Sequence, residues 1–448
     1  MRLDRWMVVG AASALAAAPV AAQVPSTPRA LGMGGAYVGV ARGVESLFQN
    51  PANLGLPGSP SWSAAFPTLS AGLGTRGVSL GQVVDGAQWG DLDDAERDAI
   101  LADIPADGTG LDVDLRAPVA ALQMGRFAGS VSWRTLGGHT INRSIVDLLF
   151  NGFERGRTYG IENTQGTRAA FWDVAAAYGN RIGPVALGAT AHVYFPRTLV
   201  RSGLVDVDTT YSVISGNTVP SDIRVTYAGV RSEGGSGVGL DVGAAMQPVP
   251  GLTVSAALDN VFSTMAWNDE LDVRSVVLNQ DDYQHGDVET VRSEYSQSKE
   301  AYDETTALPG TRALAASLLA DRDAGLPMML RAGAAYETGG TTLAAAYQKE
   351  LDEDAPFGGM WGQQLSLGVQ QRLWILSLRA GAATDLEDGR LLSGGLSFGP
   401  VHLGVAHITA GKDGDSGDGW LDTGTTGGRR EGWIATFGLG GRSDTSMR

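Results

Sequence analysis

The chain has 448 residues, of which 43% are hydrophobic and 18% charged, with a formal net charge of −16 and no cysteine. That acidic balance disfavours nucleic acid, which is bound through basic patches. The lack of thiols removes a lipoprotein anchor, a disulfide framework and a thiolate metal site. Beyond Ala22 no stretch has the about 20 consecutive apolar residues that a membrane-spanning helix requires.

At the start of the chain, Arg2 and Arg5 precede an apolar run over 6–18, and Val20-Ala21-Ala22 supplies the small residues a signal peptidase accepts. Residues 1–22 are expected to be a signal peptide, with Gln23 the first mature residue. Residues 23–60 are expected to form a hatch and 61–448 a barrel. Within the hatch, Gly34-Gly35 permits positive φ and close backbone approach. Asn50-Pro51 biases the chain toward extended or turn geometry just where a helix over 44–48 would have to stop. Gly34, Gly35, Asn50, Pro51, Ala52 and Asn53 therefore suit a compact, kinked plug. A turn resting beneath the barrel would use the same residues.

From there the chain alternates. Short apolar segments over 62–69, 111–124, 127–133, 170–178, 185–195, 238–246, 252–261, 330–336, 343–347, 365–369, 373–378, 391–398, 401–408 and 433–439 are joined in turn by tight links and by long polar stretches such as 197–235 and 268–323. This predicts an all-β, closed antiparallel transmembrane barrel of about 14 strands, with both ends on the short-turn side and long acidic loops opposite. Side chains within the segments alternate as the two faces of a strand must. Val185, Leu187, Ala189, Ala191, Val193 and Phe195 suit lipid, whereas Ala186, Gly188, Thr190, His192 and Tyr194 suit a lumen. The same parity puts Val238, Leu240 and Val242 outside and Asp241 inside. It makes Asp173, His192, Asp241, Arg331 and Arg379 lumen-facing candidates, since a lipid-facing Arg at the midplane costs roughly 2–4 kcal/mol.

Enzymatic constellations are weak. None of His139, His192, His285, His402 and His407 has a partner at metal-ligand spacing. Asp413-Gly-Asp415-Ser-Gly-Asp418 lacks the later ligands of a calcium loop. No catalytic residue, cofactor or metal is expected. One stretch, 144–153, is apolar for a rim loop. A short helix there would gather Ile145, Leu148 and Leu149, with Phe150 and Phe153 following. Such a face needs a cover, either a greasy ligand or the segment 99–104.

The pattern Gly32-Met33-Gly34-Gly35-Ala36, followed by Glu45-Ser46-Leu47-Phe48-Gln49-Asn50-Pro51-Ala52-Asn53-Leu54, resembles the N-terminal signature of outer-membrane barrels of the long-chain fatty acid transporter superfamily. These include FadL-type transporters and the similar PorV-like barrels that attend a protein-secretion machine. The resemblance implies a hatch filling a fourteen-stranded barrel in the bacterial outer membrane, in contact with its lipid. It implies passive transport of a hydrophobic or amphipathic, fatty-acid-like small molecule. The alternative it leaves open is a PorV-like scaffold or shuttle for exported proteins at the cell surface.

Overall fold

The computed structural model describes residues 27–78, 93–106, 108–151, 160, 164–214, 217–267, 270–279, 295–297, 314, 316, 318, 325–352, 361–410 and 430–442. The expected signal peptide, His285, Phe153, the 413–418 stretch and most of the acidic run 281–304 lie outside them.

The described strands comprise β1 (Trp62–Arg76), β2 (Thr109–Met124), β3 (Phe127–Ile141), β4 (Gln165–Ile182), β5 (Val185–Ile214), β6 (Asn217–Glu233), β7 (Ser236–Val249), β8 (Leu252–Ala266), β9 (Glu270–Asn279) and β10 (Tyr295–Gln297). They continue with β11 (Met329–Thr338), β12 (Thr341–Glu350), β13 (Gln363–Leu373), β14 (Leu376–Thr384), β15 (Arg390–Phe398), β16 (Val401–Ala410) and β17 (Arg430–Arg442). Fourteen of them form a closed antiparallel barrel. β1 to β5 pair in order, β5 pairs β7, β8 pairs β11, and β17 returns to β1 with Ser63 opposite Arg442. Both ends of the closed sheet thus lie on the side of the short turns.

The remaining three strands stand outside the closed sheet. β5 is 30 residues long, and its upper part pairs with β6, which pairs β9, which pairs β10. The stretches 197–235 and 268–323, expected as polar loops, therefore contribute a sheet above the barrel. That sheet lies beyond the lipid and needs no lipid-facing stripe, although Leu199, Ala228 and Val230 within it are buried. The wall is uneven: β11 to β16 have 9 to 11 residues, enough for one tilted crossing, whereas β1 to β5 have 15 or more.

Face parity is clean where the register is unbroken. Leu187, Val193, Phe195, Val238 and Leu240 are exposed on the outer wall, while Ala186, Thr190, Tyr194, Asp241 and Ala245 are buried within. Trp62, Phe66, Phe127, Tyr178, Tyr336, Trp374 and Phe398 are exposed near the short-turn end, where they make an aromatic girdle. Register shifts occur at Pro118 to Ala120 in β2 and opposite Arg197 in β5. One extra residue reverses the faces beyond it, so Asp112 and Asp114 point inward above the first shift and Ala121 and Gln123 below it. One segment begins later than its apolar pattern indicates. The run 373–378 is split by a turn at Trp374, with φ 55°, so that β14 starts at Leu376.

Leu240→Arg should lower the unfolding free energy of the barrel by roughly 2–4 kcal/mol, with Leu240→Met nearly neutral. Urea titration of heat-modifiable protein in lipid bilayers measures both. Equal stability of the two variants would contradict the lipid-facing assignment.

Candidate functional site

The lumen is filled in three layers. The lowest is the N-terminal segment: α1 (Pro28–Gly32), a turn at Gly34 and Gly35 with φ of 65° and 88°, and 3-10 turns over Gly43–Phe48 and Pro51–Gly55. Thr27 caps α1, and Asn50 caps the second 3-10 turn by accepting from the Ala52 amide at 2.9 Å. The Asn50 amide group also donates to the carbonyls of Ala244 and Ala256 on β7 and β8, at 3.1 and 3.0 Å. Asn53 donates to the Val38 carbonyl at 2.8 Å, and Ser255 of β8 donates to the same carbonyl. Pro51 and Ala52 are buried, and their backbone lies on Gly179 and Gly188 of the wall, where a Cβ would overlap Pro51 and the Ala52 amide. Gly34 lies on Gly381 in the same way, while the side chain of Gln364 donates to the Gly34 carbonyl and stands nearest to Gly35. Backbone approach this close is possible only against glycine.

A buried ion pair secures the start of the segment. Arg29 donates to Glu45 at 3.1 Å, Tyr37 donates to the same carboxylate oxygen at 2.8 Å, and the other Arg29 nitrogen meets His402 Nε2 at 3.0 Å. A guanidinium only donates, so this imidazole nitrogen accepts. Burial pushes the Glu45 carboxyl up, but Arg29 and the Tyr37 hydroxyl outweigh it and hold the group below its ordinary value of 4.5. Arg379 is buried nearby, donating to Gln370 at 2.8 Å and Ser397 at 2.7 Å.

The middle layer is charged. His192 bridges two carboxylates, Nδ1 at 2.9 Å from Asp173 and Nε2 at 3.0 Å from Asp241, a geometry that calls for a proton on both nitrogens. Arg331 pairs with Asp259 at 2.8 Å and donates to the Phe48 carbonyl at 3.2 Å, tying this layer to the hatch. Asp173, His192, Asp241 and Arg331 thus line one cavity of about 100 Å³ together with Arg116, Arg134 and Asp259, whereas Arg379 lies away from it beneath α1. That volume holds a few waters. It is too small for a ligand needing roughly 300–1,000 Å³. Parity over Asp112, Asp114 and Arg116 could have found the β2 contribution. Asp259 sits at the foot of an irregular stretch in β8, where Asn260 has φ 53° and donates its backbone N–H to Asp241 at 2.7 Å.

The upper layer is apolar, and single strands gave no signal of it. Leu136, Ala169, Phe171, Tyr194, Leu199, Val230, Met265 and Trp267 form one buried cluster with Leu318 and Leu326, and Leu314 packs against it. Phe171 meets Tyr194 and Trp267 edge-on, with ring centroids 5.8 and 6.3 Å apart. These residues come from four barrel strands, from β6 and from the connection before β11, so only the closed fold assembles them.

At the rim, α2 (Asp94–Asp103) starts with a capping box between Asp93 and Glu96 and packs on α3 (Arg143–Asn151). Val146 and Phe150 are buried against Ile100, Leu101 and Ile104, with Ile141 packed beside them, while Ile145 is half-buried. The buried face is therefore one position on from Ile145, and α2 covers it. The side chains of Leu148 and Leu149 lie outside the described residues.

No family model and no curated protein matches the sequence. Among solved structures, a variant of the TodX monoaromatic hydrocarbon channel is 10% identical, with 92% of this chain and 98% of that one covered and a TM-score of 0.51. A Pseudomonas aeruginosa FadL homologue is 12% identical, with 94% and 99% covered and a TM-score of 0.49. The Ralstonia pickettii toluene transporter TbuX is 14% identical, with 93% and 98% covered and a TM-score of 0.47. The likeness to the TodX variant is one of fold. It agrees with the strand count and with the resemblance carried by the Asn-Pro-Ala segment: the chain has the fold of a FadL-like outer-membrane barrel.

Because the Glu45 carboxyl is held low, its contribution is full above pH 4.5 and fades as pH falls through the depressed folded-state value. Thermal unfolding of the intact chain and of Glu45→Gln should differ at neutral pH and converge in acid. A constant gap across that range would contradict the ion-pair account.

Proposed function

We propose that the protein is an outer-membrane passive transporter of hydrophobic or amphipathic small molecules, exported with removal of residues 1–22. The observation that carries this reading is the apolar upper layer. A barrel lumen in contact with water is polar, whereas here Phe171, Met265 and Trp267 are buried together in its upper part. An apolar body would enter among these side chains, and a polar group on it would meet the charged layer below. Passage would then need displacement of the hatch, whose ties to the wall are hydrogen bonds of about 0.5–1.5 kcal/mol each between neutral groups and about 1.5–3 kcal/mol where Arg331 or Arg29 donates. The TodX variant is described as a monoaromatic hydrocarbon channel, and edge-on ring packing of the kind seen around Phe171 suits aromatic guests. A surface scaffold for exported proteins, the competing class, would bind through its loops and has no use for a greasy interior.

Cells producing the intact chain should take up radiolabelled toluene or a medium-chain fatty acid severalfold faster than cells producing Phe171→Asp at equal abundance and heat-modifiability. Equal uptake by the two would contradict transport and favour the scaffold.

A further inference from the structure

Near the upper rim, the inward residues fix which side chains face out. Ala169 and Phe171 on β4, Leu199 on β5 and Val230 on β6 belong to the buried cluster, so Arg168, Ala170 and Trp172, Val200 and Arg231 turn outward. On that outer face the register sets the side chains in rows. Phe127 pairs with Tyr178 at the short-turn end, their ring centroids 4.7 Å apart. Higher up stand Val131, Val174 and Val193, all exposed, and above them Trp133, Trp172 and Phe195, with the two indoles edge-on at 5.0 Å. Above Trp172 and Ala170, Arg168 pairs with Val200, which pairs with Arg231. From Tyr178 to Arg168 is one crossing of about 10 residues. The arginine row therefore lies at the outer boundary of the lipid, with the aromatic row just inside it. Arg197, the extra residue of the β5 shift, is exposed beside them.

We propose that Arg168, Arg197 and Arg231 hold the phosphate groups of a phosphorylated glycolipid in the outer leaflet, whose acyl chains lie along the tryptophan and valine rows below. The inference is independent of what the lumen carries. Charge is the first argument. The chain has a net charge of −16 and its long loops on this side are acidic, so three arginines gathered at the lipid boundary run against their surroundings. Arg231 donates to the Thr198 hydroxyl at 3.2 Å and pairs with Glu233, and Asp272 stands opposite it in register. Arg168 and Arg197 therefore carry most of the attraction for an anion. Geometry is the second. A guanidinium presents its donors in a fork that matches phosphate, and Arg168 and Arg231 are two strand spacings apart, about 10 Å. That separation suits a headgroup with two phosphates better than a single small anion. The third is the vertical order. Aromatic side chains favour the membrane interface, and here they stand beneath the arginines and above the valines, as phosphate, interface and acyl chain follow one another in a lipid. A protein partner would gain nothing from rows that run down into the bilayer.

The test is native mass spectrometry of the full chain in detergent, titrated with bis-phosphorylated lipid A, with its monophosphorylated form and with phosphatidylglycerol. Heat-modifiability is the folding control for each variant. The intact chain should retain bis-phosphorylated lipid A more tightly than either of the other lipids. Arg168→Gln and Arg197→Gln should each weaken that binding about fivefold, the effect of one basic side chain at an anionic membrane surface. Arg372→Gln, an exposed arginine at the opposite end of the wall, should leave it unchanged. Equal binding of the three lipids by the intact chain would overturn the proposal, and so would equal binding of lipid A by the intact chain and by both glutamine variants. An excess of inorganic phosphate that displaced the lipid completely would also overturn it, since the acyl chains would then contribute nothing. Should Arg168→Gln not fold, Arg197→Gln, at an exposed shift in the strand, decides alone.

Discussion

A closed sheet of fourteen strands cannot fill its own interior. About eight strands enclose a space just wide enough for their side chains, so a barrel of this size either admits water or must be packed from inside. Here it is packed. Backbone buried in that interior must find hydrogen-bond partners, and the N-terminal segment finds them in its own tight turns and in the side chains of Ser63, Ser255 and Gln364. The glycines on the inner wall follow from the same constraint. At Gly188 and Gly381 the hatch backbone rests where any side chain would stand.

The charged layer above the hatch carries the electrostatic burden of burying so many groups. Arg116 and Arg134 stand directly opposite each other in register, a like-charge pairing unfavourable by itself. Asp114 at 3.6 Å from Arg116, with Asp173, Asp241 and Asp259 around the same cavity, offsets it. Removing one member of such a set leaves its partner charge buried, which is why these pairs constrain the lumen more than they stabilise it. Arg331 reaches both Asp259 and the Phe48 carbonyl and so joins this layer to the hatch, while Asn260 joins it to the connection before β11 by donating to Asp241 and to the Pro327 carbonyl.

Much of the barrel was legible because lipid imposes a rule on every strand. Leu187 and Val193 must alternate with Thr190 and His192 whatever lies inside, and each tight link must be followed by a long one. The rule lapses where lipid does. The upper half of β5, with β6 and β9, carries its apolar residues interleaved with charged ones, as in Leu204-Val205-Asp206-Val207-Asp208, and so reads as loop. At Trp374 an unbroken apolar run conceals a turn, because an exposed Trp at the membrane boundary is as favourable as one within a strand. Parity located the inward charges but not their pairing: Asp173, His192 and Asp241 come from three strands, and only the register of β4, β5 and β7 brings them together. The apolar cluster was invisible for the same reason, since Phe171, Trp267 and Leu318 are far apart in sequence and individually ordinary.

The central claim is that the N-terminal segment, rather than the wall itself, closes the lower lumen. A closed sheet satisfies its own backbone, so a chain lacking residues 29–56 should still assemble. The direct measurement is single-channel conductance in planar bilayers, comparing that deletion, shown to be heat-modifiable, with the intact protein. The account predicts a clear rise in conductance for the deletion. An assembled deletion that conducts no better than the intact chain would contradict it.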